Sequence, residues 1–226
     1  MDAKSTSISR VMRTKQAARA SYDRLSRWYD LFSGASEKAY IDLGLEKLAV
    51  QPGEAILEIG PGTGQGLKQL SQVVGTAGRV YGIDLSGRMC QQAQARLLSA
   101  GLSARALPFC GDAVYLPFHS VSLDAIFMAF TLELFDTPEI PLVLAACRRV
   151  LRPGGRLGVV AMAKSEGRPG WMLRVYEWMH TSLPNLVDCR PIYVEEAVTQ
   201  SGFLIYYSNT RLMWGLPVSI VIGSKE

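Results

Sequence analysis

The chain is poor in the residues that build metal centres. It has two histidines, His119 and His180, and four cysteines, Cys90, Cys110, Cys147 and Cys189, far apart and in no C-x-x-C pair. No zinc-type spacing can be assembled from them. Such scattered cysteines predict buried free thiols in a reducing cytoplasm. Charge is also sparse: Asp, Glu, Lys and Arg make up 19% of the residues. That is low for a soluble domain and points to apolar surface somewhere. The run at 212–224 is too short to cross a bilayer and is interrupted by Gly215 and Pro217. The start of the sequence lacks an apolar h-region, so no secretory signal is expected. Repeats and low-complexity segments are missing as well.

What is present suits one α/β domain with additions. The 226 residues are 48% hydrophobic, enough for a full core. The net charge of +4 is uneven, because residues 1–27 hold seven basic residues against two acidic ones. The basicity therefore belongs to an N-terminal arm and leaves the domain slightly acidic, which argues against a nucleic-acid surface.

Periodicity outlines the elements. Ile8, Val11, Ala18, Tyr22, Leu25, Tyr29 and Phe32 recur at helical spacing with a basic opposite face, and Gly34 marks the end of that helix. A second helix is expected from about Glu37 to Leu48. Strands and helices then alternate from residue 55. Strands are read at 55–59, 79–84, 105–110, 123–130 and 156–163, the last entered through the turn Pro153-Gly154-Gly155. Ser86 should cap the helix after the second strand, and Gly101 should close it. This alternation predicts a doubly wound parallel sheet. Residues 203–208 and 217–223 look like an antiparallel pair at one edge. Residues 166–201 would be a cap insertion, leaving 1–50 as a helical arm and 51–226 as the main domain.

The richest stretch runs Ile56-Leu57-Glu58-Ile59-Gly60-Pro61-Gly62-Thr63-Gly64-Gln65-Gly66. It reads as a buried strand, a glycine-rich turn and a helix. Asp84 ends the next strand. A glycine-rich turn after the first strand and an acid after the second are how such sheets hold a nucleoside. The dinucleotide spacing G-x-G-x-x-G fails in both registers, at Gln65 and at Leu67, and no Lys-Ser or Lys-Thr pair follows for a P-loop. Two further strand ends carry Gly111-Asp112-Ala113 and Phe130-Thr131-Leu132-Glu133. Polar groups at four successive strand ends are hard to explain by folding alone, since a carboxylate there costs desolvation unless it meets donors. Local alternatives remain for each: Asp84 as a helix-terminal acid beside Ser86, Asp112 as a turn residue, Glu58 as a partner of loop amides, and Met89 as core.

The pattern Glu58, Gly60, Gly62, Gly64 resembles motif I of the class I S-adenosylmethionine-dependent methyltransferases. Asp84, Asp112-Ala113 and the run Arg148 to Gly155 match later signatures of that superfamily, so the resemblance covers roughly residues 20–165. It implies a Rossmann-like seven-stranded sheet with one antiparallel last strand. It implies S-adenosylmethionine as cofactor, held by Glu58, Gly60, Pro61, Gly62, Thr63 and Gly64. Asp84 would take the ribose hydroxyls, Asp112 and Ala113 the adenine edge. Leu85 and Met89 would pack on the nucleoside, and Phe130 would stand at the fourth strand end. The leader Ser21 to Asp30 resembles the start of the ubiquinone/menaquinone methyltransferase family, where the Tyr29-Asp30 pair would lie near the cofactor. Where that family carries Leu-Arg-Asn after the fourth strand, this chain has Phe130 to Leu134.

Methyl transfer from a sulfonium asks mainly for alignment and desolvation, so no triad is required. Acceptor-side candidates are His180, Glu133 and Tyr22 as catalytic groups, with Tyr29, Tyr176 and Arg190 beside them. Arg190 would pair with an acceptor phosphate or sit in a surface salt bridge. The segment with Trp171, Tyr176 and Trp178 is apolar on more than one helix face. With the basic arm it suggests a small lipophilic acceptor, a quinone-ring carbon or a phospholipid amine. Methylation of a soluble natural product, or S-adenosylmethionine binding without turnover, remains open. The expected setting is cytoplasmic, with peripheral membrane association through the arm and cap and no nucleic-acid partner.

Overall fold

A computed structural model describes residues 34–164 and 190–226. Along the chain run α1 (Gly34–Leu48), β1 (Ala55–Ile59), α2 (Gln65–Val74), β2 (Arg79–Asp84), α3 (Gly87–Ser99) and β3 (Ala106–Cys110). These are followed by β4 (Leu123–Ala129), α4 (Ile140–Val150), β5 (Leu151–Met162), α5 (Val194–Gln200), β6 (Leu204–Met213) and β7 (Leu216–Ser224). Short 3-10 turns lie at Ala113–Tyr115 and Leu132–Leu134.

The strands form one seven-stranded sheet in the order β3-β2-β1-β4-β5-β7-β6. Strands β1 to β5 pair in parallel, and β7 is antiparallel to both β5 and β6. The apolar run Ile56 to Ile59 is buried throughout, as befits a strand with neighbours on both edges and helices on both faces. Pairing spreads from β1 to β2 on one side and to β4 on the other, which makes the β1/β4 boundary the topological switch point.

Each sheet face has its own core. Leu57, Ile126 and Val159 pack with Val143 and Leu144 of α4 and Val198 of α5. Ile56, Phe127 and Val160 pack on the other face with Leu48 of α1, Leu67 of α2 and Leu97 of α3. Helix α1 comes down closely on the sheet at Gly44, where an added Cβ would lie 2.7 Å from Val160 Cγ2 and 3.0 Å from Phe127 Cε2. Helix α3 starts as expected, with the Ser86 hydroxyl accepting from the Met89 amide at 3.1 Å.

Four expectations change. Helix α1 starts at Gly34, earlier than the expected Glu37, and the helix expected before it lies outside the described residues. Strand β5 begins at Leu151, so Pro153-Gly154-Gly155 is a bulge inside it: Leu123 pairs with Leu151, and Ala125 with Arg156. The glycines are held there by Lys225, through Gly154 N to Lys225 O (2.7 Å) and Lys225 N to Gly155 O (2.9 Å). The stretch assigned to a cap includes α5, which packs into the core through Val194 and Val198. Finally, Cys110 is exposed at the end of edge strand β3, while Cys90 and Cys147 are buried thiols.

Candidate active site

The glycine-rich loop leaves β1 at the switch point. Gly60, Gly62 and Gly64 have φ of +68°, +53° and +85°, a backbone that side chains resist. Space forbids a side chain at two of these as well. A Cβ on Gly60 would fall 2.4 Å from Thr131 Oγ1, and one on Gly64 would fall 2.8 Å from Ala93 Cα. Among the described residues, nothing lies within 4 Å of where a Gly62 Cβ would be. The loop is thus clamped against the β4 exit and α3, with room left at Gly62 among the described residues. Pro61 and Thr63 are buried within it.

Glu58 is 4% exposed. The Leu67 amide of α2 donates to its carboxylate, and Oε2 has no hydrogen-bond partner among the described residues. Burial, helped by the nearby Asp84 charge, pushes its pKa up to about 8. An unsatisfied buried carboxylate oxygen is costly unless a ligand donates to it. Gly66 makes room for it: a Cβ there would lie 2.0 Å from Glu58 Oε1. Gly66 belongs to the site, although its role went unread in the sequence. Its signal was present, since it continues the every-second-residue series from Gly60.

Asp84 ties the loop to α3. Its Oδ2 accepts from Gly62 N at 3.2 Å and its Oδ1 from Ser86 N at 2.8 Å. Leu85 is half-buried beside it and Met89 is fully buried. Asp112 caps the 3-10 turn, accepting from Val114 N at 3.0 Å, with Ala113 buried behind it. At the β4 exit, Phe130 adopts φ +50°, strained for a side chain with a large ring. Its amide donates to Val160 O at 2.7 Å. Thr131 Oγ1 donates to Ala129 O at 2.8 Å.

A cavity of about 300 Å³ lies between the glycine loop and α1. Its walls include Glu37 and Ile41 of α1, Glu58, the loop from Gly60 to Thr63, Gln69 and Ala129. That volume sits at the lower end of small-molecule sites. Glu37 was not anticipated, because nothing in the sequence distinguishes it from other helix-surface acids. Burial pushes its pKa up to about 7. Asp84 and Asp112 are not among these walls.

Glu133 lies in the second 3-10 turn and is fully buried. Its Oε1 accepts from Met162 N at 3.1 Å. Burial is the main cause of a pKa pushed up to about 8. Backbone amides pull it down, the Glu37 charge adds to it, and Arg190 opposes. Arg190 is not a surface residue: it is fully buried and donates to Phe135 O at 2.5 Å and Thr137 Oγ1 at 3.1 Å. It holds the loop after β4. Tyr22, Tyr29, Tyr176 and His180 lie outside the described residues.

Residues 56–155 match the family described as "Methyltransferase domain". This stretch is a methyltransferase domain. S-adenosylmethionine is the methyl donor of such domains, and the loop fits it: a buried orphan carboxylate oxygen, an open Gly62 and a cavity at the switch point. The chain is 31% identical over 157 residues to the ubiquinone/menaquinone biosynthesis C-methyltransferase UbiE of Saccharophagus degradans, covering 70% of this chain and 61% of the relative. It is 33% identical over 155 residues to the same enzyme of Cellvibrio japonicus, covering 69% and 60%. The chain thus spans about three-fifths of the length of these curated relatives. Among solved structures, the [4+2]-cyclase SpnF superposes with a TM-score of 0.75 at 20% identity, covering 94% of this chain and 97% of that one. A SAM-dependent methyltransferase from Aquifex aeolicus gives 0.63 at 21%, covering 92% and 98%. A geranyl diphosphate methyltransferase in complex with GPP and sinefungin gives 0.67 at 15%, covering 84% and 77%. These three share the fold.

Proposed function

We propose that the chain transfers the methyl group of S-adenosylmethionine to a small lipophilic acceptor, with a quinone-type ring carbon as the leading candidate. The observation that carries the donor half is Glu58: a buried carboxylate with an unpartnered oxygen, facing the cavity beside the glycine loop. The acceptor half is supported by the relatives named for quinone C-methylation and by the apolar, aromatic sequence around Trp171 and Trp178.

In this reading Glu58 accepts from the donor's ammonium group. Gly60 and Gly62 let the loop backbone approach with no side chain in the way. Asp84 already accepts from two amides, yet an ionised carboxylate offers about four acceptor sites, so it retains capacity for ribose hydroxyls. Asp112 and Ala113 receive the adenine edge, with Leu85 and Met89 packed beneath. Phe130 and Thr131 fix the loop edge where the acceptor enters. When bound, the cofactor supplies an already activated methyl group on a cationic sulfur, so the protein has chiefly to align the reactants and exclude water. The basic arm at 1–27 and the aromatic segment are proposed to bring the domain to an anionic membrane surface, where such acceptors reside.

The test is methyl-labelled S-adenosylmethionine offered with total lipid and aqueous extracts of the source cells. Label entering the organic phase and co-migrating with quinone is expected. Label confined to the aqueous phase would replace this reading with a soluble acceptor. Binding without label in either phase would favour a binding protein or a different reaction on the same fold, as in the [4+2]-cyclase.

A further inference from the structure

We propose that Glu37, on the first turn of α1, is the acceptor-side proton acceptor of the transfer. This deepens the proposed function and rests on reading the cavity as the methyl-donor site.

The geometry comes first. Glu37 and Glu58 line the same cavity, one from α1 and one from β1. Glu58 is the deep group, only 4% exposed, with an unpartnered oxygen that marks the pocket as a ligand site. Glu37 is partly exposed and lines the cavity from α1. If Glu58 holds the donor's ammonium end in the depth of the cavity, the more exposed Glu37 is the carboxylate nearer to an entering acceptor. Among the described residues, no hydrogen bond or ion pair engages the Glu37 carboxylate.

The neighbours decide between the carboxylates. Glu58 is bound by the Leu67 amide and Glu133 by the Met162 amide. Glu133 is fully buried and is not a wall of the cavity. Asp42 of α1 also lines the cavity, but it is paired with Lys38 and accepts from Gln69 Nε2 at 2.8 Å. Arg96 of α3 reaches the cavity but donates to Gln65 Oε1 at 3.1 Å. Glu37 is left as the carboxylate with the reach and the proton affinity to act, since a pKa of about 7 poises it as a base near neutral pH.

The step balances without another reagent. As the acceptor's new bond to the methyl carbon forms and the methyl–sulfur bond breaks, the electron pair of that bond stays on sulfur. The acceptor's O–H or N–H proton passes to the Glu37 carboxylate. For a hydroxylated ring, taking the hydroxyl proton makes the ring carbon nucleophilic; the ring C–H proton is then lost to solvent as the hydroxyl regains its own.

The experiment uses the full chain and its Glu37→Gln variant with S-adenosylmethionine and S-adenosylhomocysteine. Calorimetry in buffers of different ionisation enthalpy at pH 7 counts the protons released by each. Both molecules carry the ammonium that meets Glu58, but one alone carries the positive sulfur. Wild type is expected to release up to about half a proton more with S-adenosylmethionine, because a nearby cation drives ionisation of a half-protonated acid. In Glu37→Gln that excess should vanish while S-adenosylhomocysteine still binds. With saturating S-adenosylmethionine, the rate of label incorporation from combined lipid and aqueous extract should rise with pH to a midpoint below about 7 in wild type, because the bound cation lowers the acid's pKa, and be flat and about 10²–10⁴-fold lower in the variant. An excess that survives in Glu37→Gln, or a rate and profile unchanged in it, overturns the proposal. Failure of wild type to bind either molecule overturns the donor-site reading, and the proposal with it.

Discussion

Replacing Gly66 by Ala should separate cofactor binding from folding. The new Cβ would stand 2.0 Å from Glu58 Oε1, 2.7 Å from Cδ and 2.9 Å from Oε2. Ordinary contacts between such atoms are well over 3 Å, so the carboxylate must move by about an ångström or more. It is hemmed in by the Leu67 amide and by burial, and its open direction is the cavity. Losing a hydrogen bond to a charged group costs about 1.5–3 kcal/mol, which is roughly 10–150-fold in affinity. Stability responds differently. Overpacking costs about 1–3 kcal/mol, while Ala in place of Gly inside a helix returns about 1 kcal/mol. The net loss is then about 0–2 kcal/mol, and a domain of this size shifts Tm by about 2–4 °C per kcal/mol. Titration calorimetry with S-adenosylhomocysteine beside a thermal melt checks both quantities. Affinity within threefold of wild type, in a variant that folds, would refute the role given to Glu58.

Three further outcomes are expected. Asp84→Asn should weaken S-adenosylhomocysteine binding by about 10–150-fold, since the acid both fixes Gly62 and is proposed to hold the ribose; unaltered affinity in a calorimeter would remove the ribose assignment. Glu133 keeps its proton to about pH 8 when folded, against 4.5 for the ordinary carboxyl, so the folded chain binds the extra proton in between. Its contribution to stability is full below about pH 4.5 and is lost as pH rises through about 8. Glu133→Gln should therefore flatten, though Glu58 keeps it from abolishing, the fall of Tm between pH 6 and 9; an unchanged slope contradicts a buried neutral acid. Deleting residues 1–20 should weaken binding to vesicles containing anionic lipid and make the remainder less salt-sensitive; vesicle binding that is absent in the intact chain would discard the membrane route.

Much of the sheet could be read in advance because inner parallel strands are mainly apolar runs bounded by turn residues, as at Ala125 to Met128 and at Ile56 to Ile59, where Glu58 alone interrupts. Ser86 was legible as a cap because a hydroxyl ahead of an apolar periodic stretch has one obvious use. Strand β5 was misjudged at its start because Pro153-Gly154-Gly155 is a turn signal locally, and its pairing with Lys225 joins residues distant in sequence. Arg190 misled for a similar reason. A lone arginine beside a proline reads as surface, and the carbonyl and hydroxyl it donates to lie more than fifty residues earlier in the sequence. In the site, the loop glycines and the strand-end acids follow from backbone geometry and were visible. Glu37 enters through the docking of a helix, which Gly44 permits and no local pattern announces.

The stitch between Lys225 and the Pro-Gly-Gly bulge carries a practical geometry. Ser224 pairs with Arg156 near the start of β5, while the cavity opens beyond the ends of β1 and β4, which run parallel to it. Strand β7 has nine residues, so its far end stands roughly 30 Å away at about 3.3 Å per residue. A tether placed after Glu226 would therefore anchor the protein by the foot of its sheet. On a sensor chip or a resin, every molecule so held would present its mouth to the solution, with the sheet itself as the spacer.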